Sequence, residues 1–197
     1  MNLQWAQDVA LEVVGYLEPE CERVVMAGSV RRQTPEVKDL EIVYLSKEIP
    51  MQTLFEGVGD TYAGADVAID DMVAAGVLAW DREMKRNGPR YKRLIHVESG
   101  LVVELFRAFP DNWGYILALR TGPSEFNKIW ASHPWHGGIL PVDYKLAHGY
   151  VWHLGQKVAI PDEATFFDLL GLPCWTPEAR SEERFRRWVV ERRRGEK

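Results

Sequence analysis

The first 45 residues pass through three patterns of apolar positions, and each predicts a different element. Leu3, Trp5, Val9, Val13 and Leu17 recur at near-helical spacing and Pro19 closes the run, which predicts a helix. "RVVMAG", residues 23–28, is a short Val-rich apolar run and predicts a strand. Gly28-Ser29 then turns the chain, with Ser29 placed to cap a short helix through Arg32 or Gln33. "KDLEIVYL", residues 38–45, alternates as a second strand: Asp39, Glu41 and Val43 share one face, and Leu40, Ile42 and Tyr44 share the other.

The pattern weakens after Pro50. "DVAIDDMVAAG" predicts a helix ended by Gly76, and "YKRLIHV" and "LVVELFRAF" predict two strands joined through Glu98-Ser99-Gly100. In the second of these strands Val102, Glu104 and Phe106 point one way. From Asp111 the pattern turns helical, with a break at Thr121-Gly122 and a stop at Pro134 and Gly137-Gly138. "LPVDYKLAHGYVWHLGQKVAI" predicts a small antiparallel hairpin. "DEATFFDLLG" predicts a helix capped by Asp162 and followed by Gly171, and a last helix covers about residues 181–194. The break between halves lies near Pro110, dividing the chain into 1–110 and 111–197.

A chain of 197 residues, 46% apolar and 27% charged, has the composition of a globular protein of one domain or two small ones. No run approaches the ~18 apolar residues of a membrane span, and the N-terminus lacks the basic start and cleavage site of a signal peptide. Two cysteines make neither a disulfide framework nor a zinc site, which points to a reducing setting, cytoplasmic or nucleoid-associated. The net charge of -5 is uneven: residues 180–197 hold eight basic and four acidic residues, so the remainder carries about -9. Such a total argues against broad nonspecific nucleic-acid binding but leaves room for local basic tracks. One is Lys85, Arg86, Arg90, Lys92 and Arg93, placed either at a solvated hairpin tip or against DNA phosphates. Another is the C-terminal tail, either a docked amphipathic helix or a duplex-phosphate contact.

The chemistry lies in the acids. Two carboxylates two residues apart on a strand repel unless a cation sits between them, and hard divalent ions take oxygen ligands. Glu104, an acid in an otherwise apolar strand, is the natural third ligand; its alternative is a cross-strand ion pair with Lys92 or Arg93. Gly28-Ser29 at a helix start offers free N–H groups to an anion, and Arg32, one turn on, reaches the same phosphates. Each piece alone is more often a solvated face or a plain turn. Together they supply what nucleotidyl transfer needs, a phosphate cradle beside a metal platform.

These residues resemble the nucleotidyltransferase superfamily, and more closely the family X DNA polymerases of the DNA polymerase β-like group. The matching features are G-S-x-R-R (Gly28, Ser29, Arg31, Arg32), the acid pair Asp39 and Glu41, "VELF" with Glu104, "LRTGPSEFN" at 119–127 and "DEATFFDLLGLPCWTPEAR" at 162–180. The resemblance runs from about Arg23 to Arg180. It implies an α/β (α+β) fold: a nucleotidyltransferase palm with a mixed sheet and flanking helices, then a small α+β thumb. It implies that Asp39, Glu41 and Glu104 bind two Mg²⁺ ions, for which Mn²⁺ substitutes, and that Gly28, Ser29 and Arg32 hold the β- and γ-phosphates. Gly122 and the backbone at Arg120-Thr121 would lie along the sugar, and Asn127 would meet the incoming base. The implied activity is template-directed addition of dNMP to the primer 3′-hydroxyl of gapped or primed DNA in repair, by a monomer with no membrane. Two other readings are a template-independent nucleotidyltransferase acting on RNA or a small molecule, and a nucleic-acid binder with a decayed site. Two of the three acids are Glu where the family has Asp, and Leu119-Arg120 replaces an aromatic pair. About twenty residues precede the palm, too few for a lyase domain, as in the minimal viral members.

Overall fold

Asn2 opens the first helix by accepting the Trp5 N–H through its side chain at 2.9 Å, so α1 (Leu3–Leu17) begins where its apolar stripe begins. A computed structural model describes residues 1–50, 61–84 and 87–195, and they form two compact units. The first comprises residues 1–30 and 35–109; the second comprises 31–34 and the chain from 110 onward.

In the first unit α1 leads to β1 (Cys21–Met26), the single-turn α2 (Gly28–Arg31, whose last residue belongs to the second unit) and β2 (Asp39–Ser46). A two-stranded ladder, β3 (Glu48–Pro50) with β4 (Thr61–Ala63), precedes α3 (Gly64–Ala74). The chain then runs through β5 (Leu78–Trp80), β6 (Asn87–Gly88), β7 (Tyr91–His96) and β8 (Val102–Arg107). The main sheet has the order β1-β2-β8-β7-β5, with β6 paired to β7. Among the described residues β2 and β8 form its one parallel pair; its other pairs are antiparallel, so the sheet is mixed.

The alternation along β2, β7 and β8 sorts this sheet into two faces. Leu40, Ile42, Tyr44, Leu94, Val103 and Leu105 are buried in one cluster with Val9, Val13 and Leu17 of α1 and Ile69 and Met72 of α3. Asp39, Glu41, Tyr91, Arg93 and Glu104 belong to the opposite face, at alternate positions. Four strands of this unit escape the sequence pattern: β3, β4 and β5 have three residues each and β6 has two, too short for a period to show.

The second unit holds α4 (Trp113–Thr121), α5 (Ser124–Ala131), β9 (Tyr144–Ala147), β10 (Tyr150–His153), β11 (Gln156–Val158), α6 (Glu163–Leu169) and α7 (Glu182–Gly195). The predicted hairpin is a three-stranded meander. Ala147 pairs with Tyr150 and His153 with Gln156, so each connection is two residues long. Both turns have positive φ at their two central residues, 54° and 75° at His148-Gly149 and 49° and 83° at Leu154-Gly155. That is the hand that matches strand twist. Trp130 is fully buried against Tyr115 and Phe166, so it is a core residue and not a stacking platform.

A buried ionic cluster ties this unit together. Arg31 donates to both Glu163 carboxylate oxygens, at 3.0 and 2.7 Å, and to the Thr121 hydroxyl at 2.7 Å. Arg180, 3% exposed, donates to Glu163 at 2.6 Å and to the Trp175 carbonyl at 3.1 Å. Burial pushes the Glu163 carboxyl up, but the bonds from Arg31 and Arg180 outweigh it and leave the group below the usual glutamate range. A carboxyl whose folded pKa is depressed contributes stability that is complete above the unfolded pKa and is lost as pH falls through the folded one. Thermal melts taken at decreasing pH should therefore show an acid-induced loss of stability that Glu163→Gln largely removes. At neutral pH the same variant should be destabilised by roughly 3 kcal/mol, because two arginines lose their counter-charge.

Candidate active site

The parallel register sets Glu41 directly beside Glu104, and Asp39 beside Val102. Asp39 and Glu41 share a strand face, as their spacing predicts, and Glu104 lies on the same face of the next strand. Asp39 is thus one pleat along from the Glu41–Glu104 pair, about 7 Å by strand geometry. Among the described residues no three Asp, Glu, His or Cys side chains converge on one point where a metal would sit.

Glu41 is placed by Gly28. The Ala27 N–H donates to the Glu41 carbonyl at 2.7 Å, pinning the start of α2 to β2. Gly28 has φ +58°, and a Cβ added there would stand 2.2 Å from Glu41 Oε2. The carboxylate therefore occupies the space that any other residue's side chain would fill. Ser29 does not cap α2: the helix already begins at Gly28, which places Ser29 inside it. Its Oγ is buried and has no hydrogen-bond partner among the described residues, an unusual state for a hydroxyl and one that an incoming acceptor would relieve.

Glu104 is held from its neighbouring strand. Tyr91 donates its hydroxyl to Oε1 at 2.5 Å and Arg93 donates to the same oxygen at 2.7 Å. Both bonds fall on Oε1, so among the described residues Oε2 remains available. Arg93 is also bonded to Asp81 at 2.8 Å. That bond, followed by those from Tyr91 and Glu104, raises the arginine, while the Arg93 bond is the leading cause that holds Asp81 below the usual carboxylate range. Burial, then the bond to Glu104, raises the Tyr91 phenol, so it stays a donor at neutral pH. Sequence reasoning missed Asp81 and Tyr91. Counting register outward from the Glu98-Ser99-Gly100 turn finds Arg93 opposite Glu104, but nothing in the spacing points to Asp81.

The basic track divides. Lys85 and Arg86 lie outside the described residues. Lys92 is buried, with its ammonium 3.3 Å from Asp66 and 3.4 Å from Asn87 Oδ1. Arg93 serves Asp81 and Glu104 as above, so both charges are matched by carboxylates of the first unit. Arg90 is exposed, with its guanidinium 5.7 Å from the Phe109 ring centre.

In the second unit Arg32 donates to the Thr121 carbonyl at 2.7 Å, and Thr121 is fully buried. Arg120 stands in the last turn of α4. Asn127 Nδ2 donates to the Leu119 carbonyl at 2.8 Å and the Gly122 carbonyl at 3.1 Å, satisfying carbonyls at the end of α4. Asn127 Oδ1 is buried without a partner among the described residues, and a Cβ on Gly122 would stand 2.1 Å from it. Gly122 is thus demanded by the asparagine's close approach, since its own φ of -71° suits any residue. Arg31, Glu163 and Arg180 were not singled out as a cluster from sequence, because their separations carry no period.

The two cysteines offer no activated nucleophile. Burial pushes the Cys21 thiol up to about 12, and the Cys174 thiol is raised as well, first by burial and then by Glu163. No described helix is long and apolar enough to cross a membrane.

No family model matches the chain, and no curated protein matches it. Among solved structures the chain is similar to Leishmania infantum polymerase beta, solved as a ternary P/T complex, with a TM-score of 0.69 and 16% identity. The match covers 92% of this chain and 76% of that one. The architecture described above, a mixed sheet with flanking helices in an α+β chain, is a polymerase β-like fold.

Gly28→Ala should cost about 2 kcal/mol or more in denaturant unfolding, from the left-handed backbone and the displaced carboxylate. In a Glu41→Ala background only the backbone part should remain. A positive coupling between the two substitutions would thus report the contact.

Proposed function

We propose that the chain is a nucleotidyltransferase, a template-directed DNA polymerase that adds dNMP to the 3′-hydroxyl of primed or gapped DNA, as gap filling in repair requires. The observation that carries the reading is the parallel β2–β8 register, which lines up Glu41 and Glu104 with Asp39 on the same face, beside the glycine under Glu41. The donor set suits Mg²⁺ or Mn²⁺: three carboxylates with hard oxygens, Glu104 anchored by one oxygen and open at the other. Asp39, Glu41 and Glu104 would hold the ions. When bound, two such ions lower the pKa of the attacking hydroxyl and stabilise the leaving oxygen.

The protein's own part is placement. Tyr91 and Arg93 fix the direction of the Glu104 carboxylate, and Arg93 is itself steadied by Asp81. The partnerless Ser29 hydroxyl and the backbone at Gly28 would take phosphate oxygens, with Arg32 adding charge. In the second unit Arg120, Thr121, Gly122 and Asn127 are the proposed contacts to the nucleotide's sugar and base. For Asn127 that role falls to Oδ1, because both Nδ2 bonds are used internally.

A second reading has its own support. The acids do not converge among the described residues, and Arg93 already neutralises Glu104. Both features suit a nucleic-acid binder whose site has decayed.

Purified protein given a primed, gapped duplex and labelled dNTPs should incorporate the nucleotide complementary to the template, and chelation should stop it. Asp39→Ala and Glu41→Ala should each slow incorporation at least a thousandfold, about 4 kcal/mol of barrier. Equal incorporation by Asp39→Ala and wild type would overturn the assignment. Incorporation without regard to template would instead point to an untemplated transferase. No incorporation by wild type, with DNA still bound, would favour the decayed binder.

A further inference from the structure

The last helix lies beyond the stretch that carries the family resemblance, and its chemistry is unused by the reaction proposed above. Phe185 and Trp188 of α7 form an aromatic pair with ring centres 6.1 Å apart, and Trp188 meets Trp175 edge-on at 6.3 Å. Docking of a helix explains those contacts. It does not explain what the same turns place around them. Arg184, Arg187 and Glu191, spaced three and four residues apart, share one helix side with Trp188. With Trp175 they line a cleft of about 160 Å³.

The two arginines of this cleft are only loosely held. The Arg184 guanidinium lies over the Trp175 ring, 5.6 Å from its centre, and has no carboxylate partner among the described residues. Arg187 pairs at 2.8 Å with Glu183, but both side chains are well exposed, so that pair is weak and exchangeable. Glu191 is the one acid on the rim and disfavours a second phosphate there. Two guanidinium forks beside a half-buried indole match a phosphate next to a flat ring. An unpaired base offers its flat face to an indole, whereas a base inside a duplex is already stacked on its neighbours, so the indole favours a single strand.

We propose that this cleft is a subsite for one nucleotide of a single-stranded nucleic acid, its base against Trp188 and its phosphate on Arg184 and Arg187. The inference rests on the reading of the chain as an enzyme of nucleic acids, and it adds a contact for an unpaired overhang or template segment.

The test is equilibrium binding of a fluorescein-labelled single-stranded DNA 12-mer to the full chain across a salt series, with a blunt duplex of the same length beside it. Trp188→Ala should weaken single-strand binding roughly tenfold while sparing the duplex. Arg184→Ala with Arg187→Ala, both on exposed side chains, should lower the slope of log K against log salt by about 1.4. This pair keeps the test decisive if Trp188→Ala fails to fold. Unchanged single-strand affinity and salt slope in the arginine variant overturn the proposal, as does equal loss for strand and duplex. Primer extension is measured separately. Loss of extension in Asp39→Ala with the cleft effects intact supports both readings. Cleft effects without any extension by wild type keep the subsite and remove the polymerase.

Discussion

The parallel pairing of β2 with β8 is the constraint on which the rest of the first unit depends. Strand alternation has a period of two, so a slip of one residue would turn Glu104 toward α1 and α3 and bring Leu105 out beside the acids. The helix-covered face forbids that slip, because Val103 and Leu105 are fully buried in the core it shares with Leu40, Ile42 and Tyr44. The apolar face thus determines where the polar face puts its carboxylates. A parallel pair also needs a long crossover, here everything from β3 to β7, and that crossover delivers Tyr91 and Arg93 to the strand beside Glu104.

Carboxylates gathered on a sheet face must be matched by something while no cation is present. Glu104 is matched by Arg93 and Tyr91, and Arg93 is shared with Asp81. Glu163 shows the same arrangement deeper in the second unit, with two arginines on one acid. The two clusters differ in exposure and in purpose. Arg31 and Arg180 between them bond both Glu163 oxygens, which suits a fixed structural joint. Among the described residues Glu104 keeps one oxygen unbonded, which suits a ligand.

Much of this was legible in the sequence, for reasons that can be named. The alternation in "KDLEIVYL" and "LVVELFRAF" revealed which residues share faces, because a strand between core and open side has to alternate. Asp162 and Gly171 marked the ends of α6 through cap chemistry, and Asp162 does accept the Thr165 N–H at 2.7 Å. The parallel register could not be read, since it depends on how β2 and β8 meet across the whole of residues 47–101. Asp81 and Glu163 were silent for the same reason: an ion pair between distant positions leaves no period. Ser29 misled because a serine after a glycine reads as a cap, whereas the helix had already begun one residue earlier.

The assignment of residues 31–34 to the second unit gives the connectivity an unexpected character. The G-S-x-R-R run is cut between Val30 and Arg31, so the chain passes from one unit to the other at 30, back at 34, and across again at 109. The second unit is therefore a discontinuous domain that borrows a four-residue splint from the middle of the first. A fragment made by cutting the gene at Pro110 would carry Glu163 and Arg180 but not Arg31, leaving its central joint with one of two clasps. An exchange of halves at that boundary would part Arg31 from Glu163 unless the splint travels with its partner.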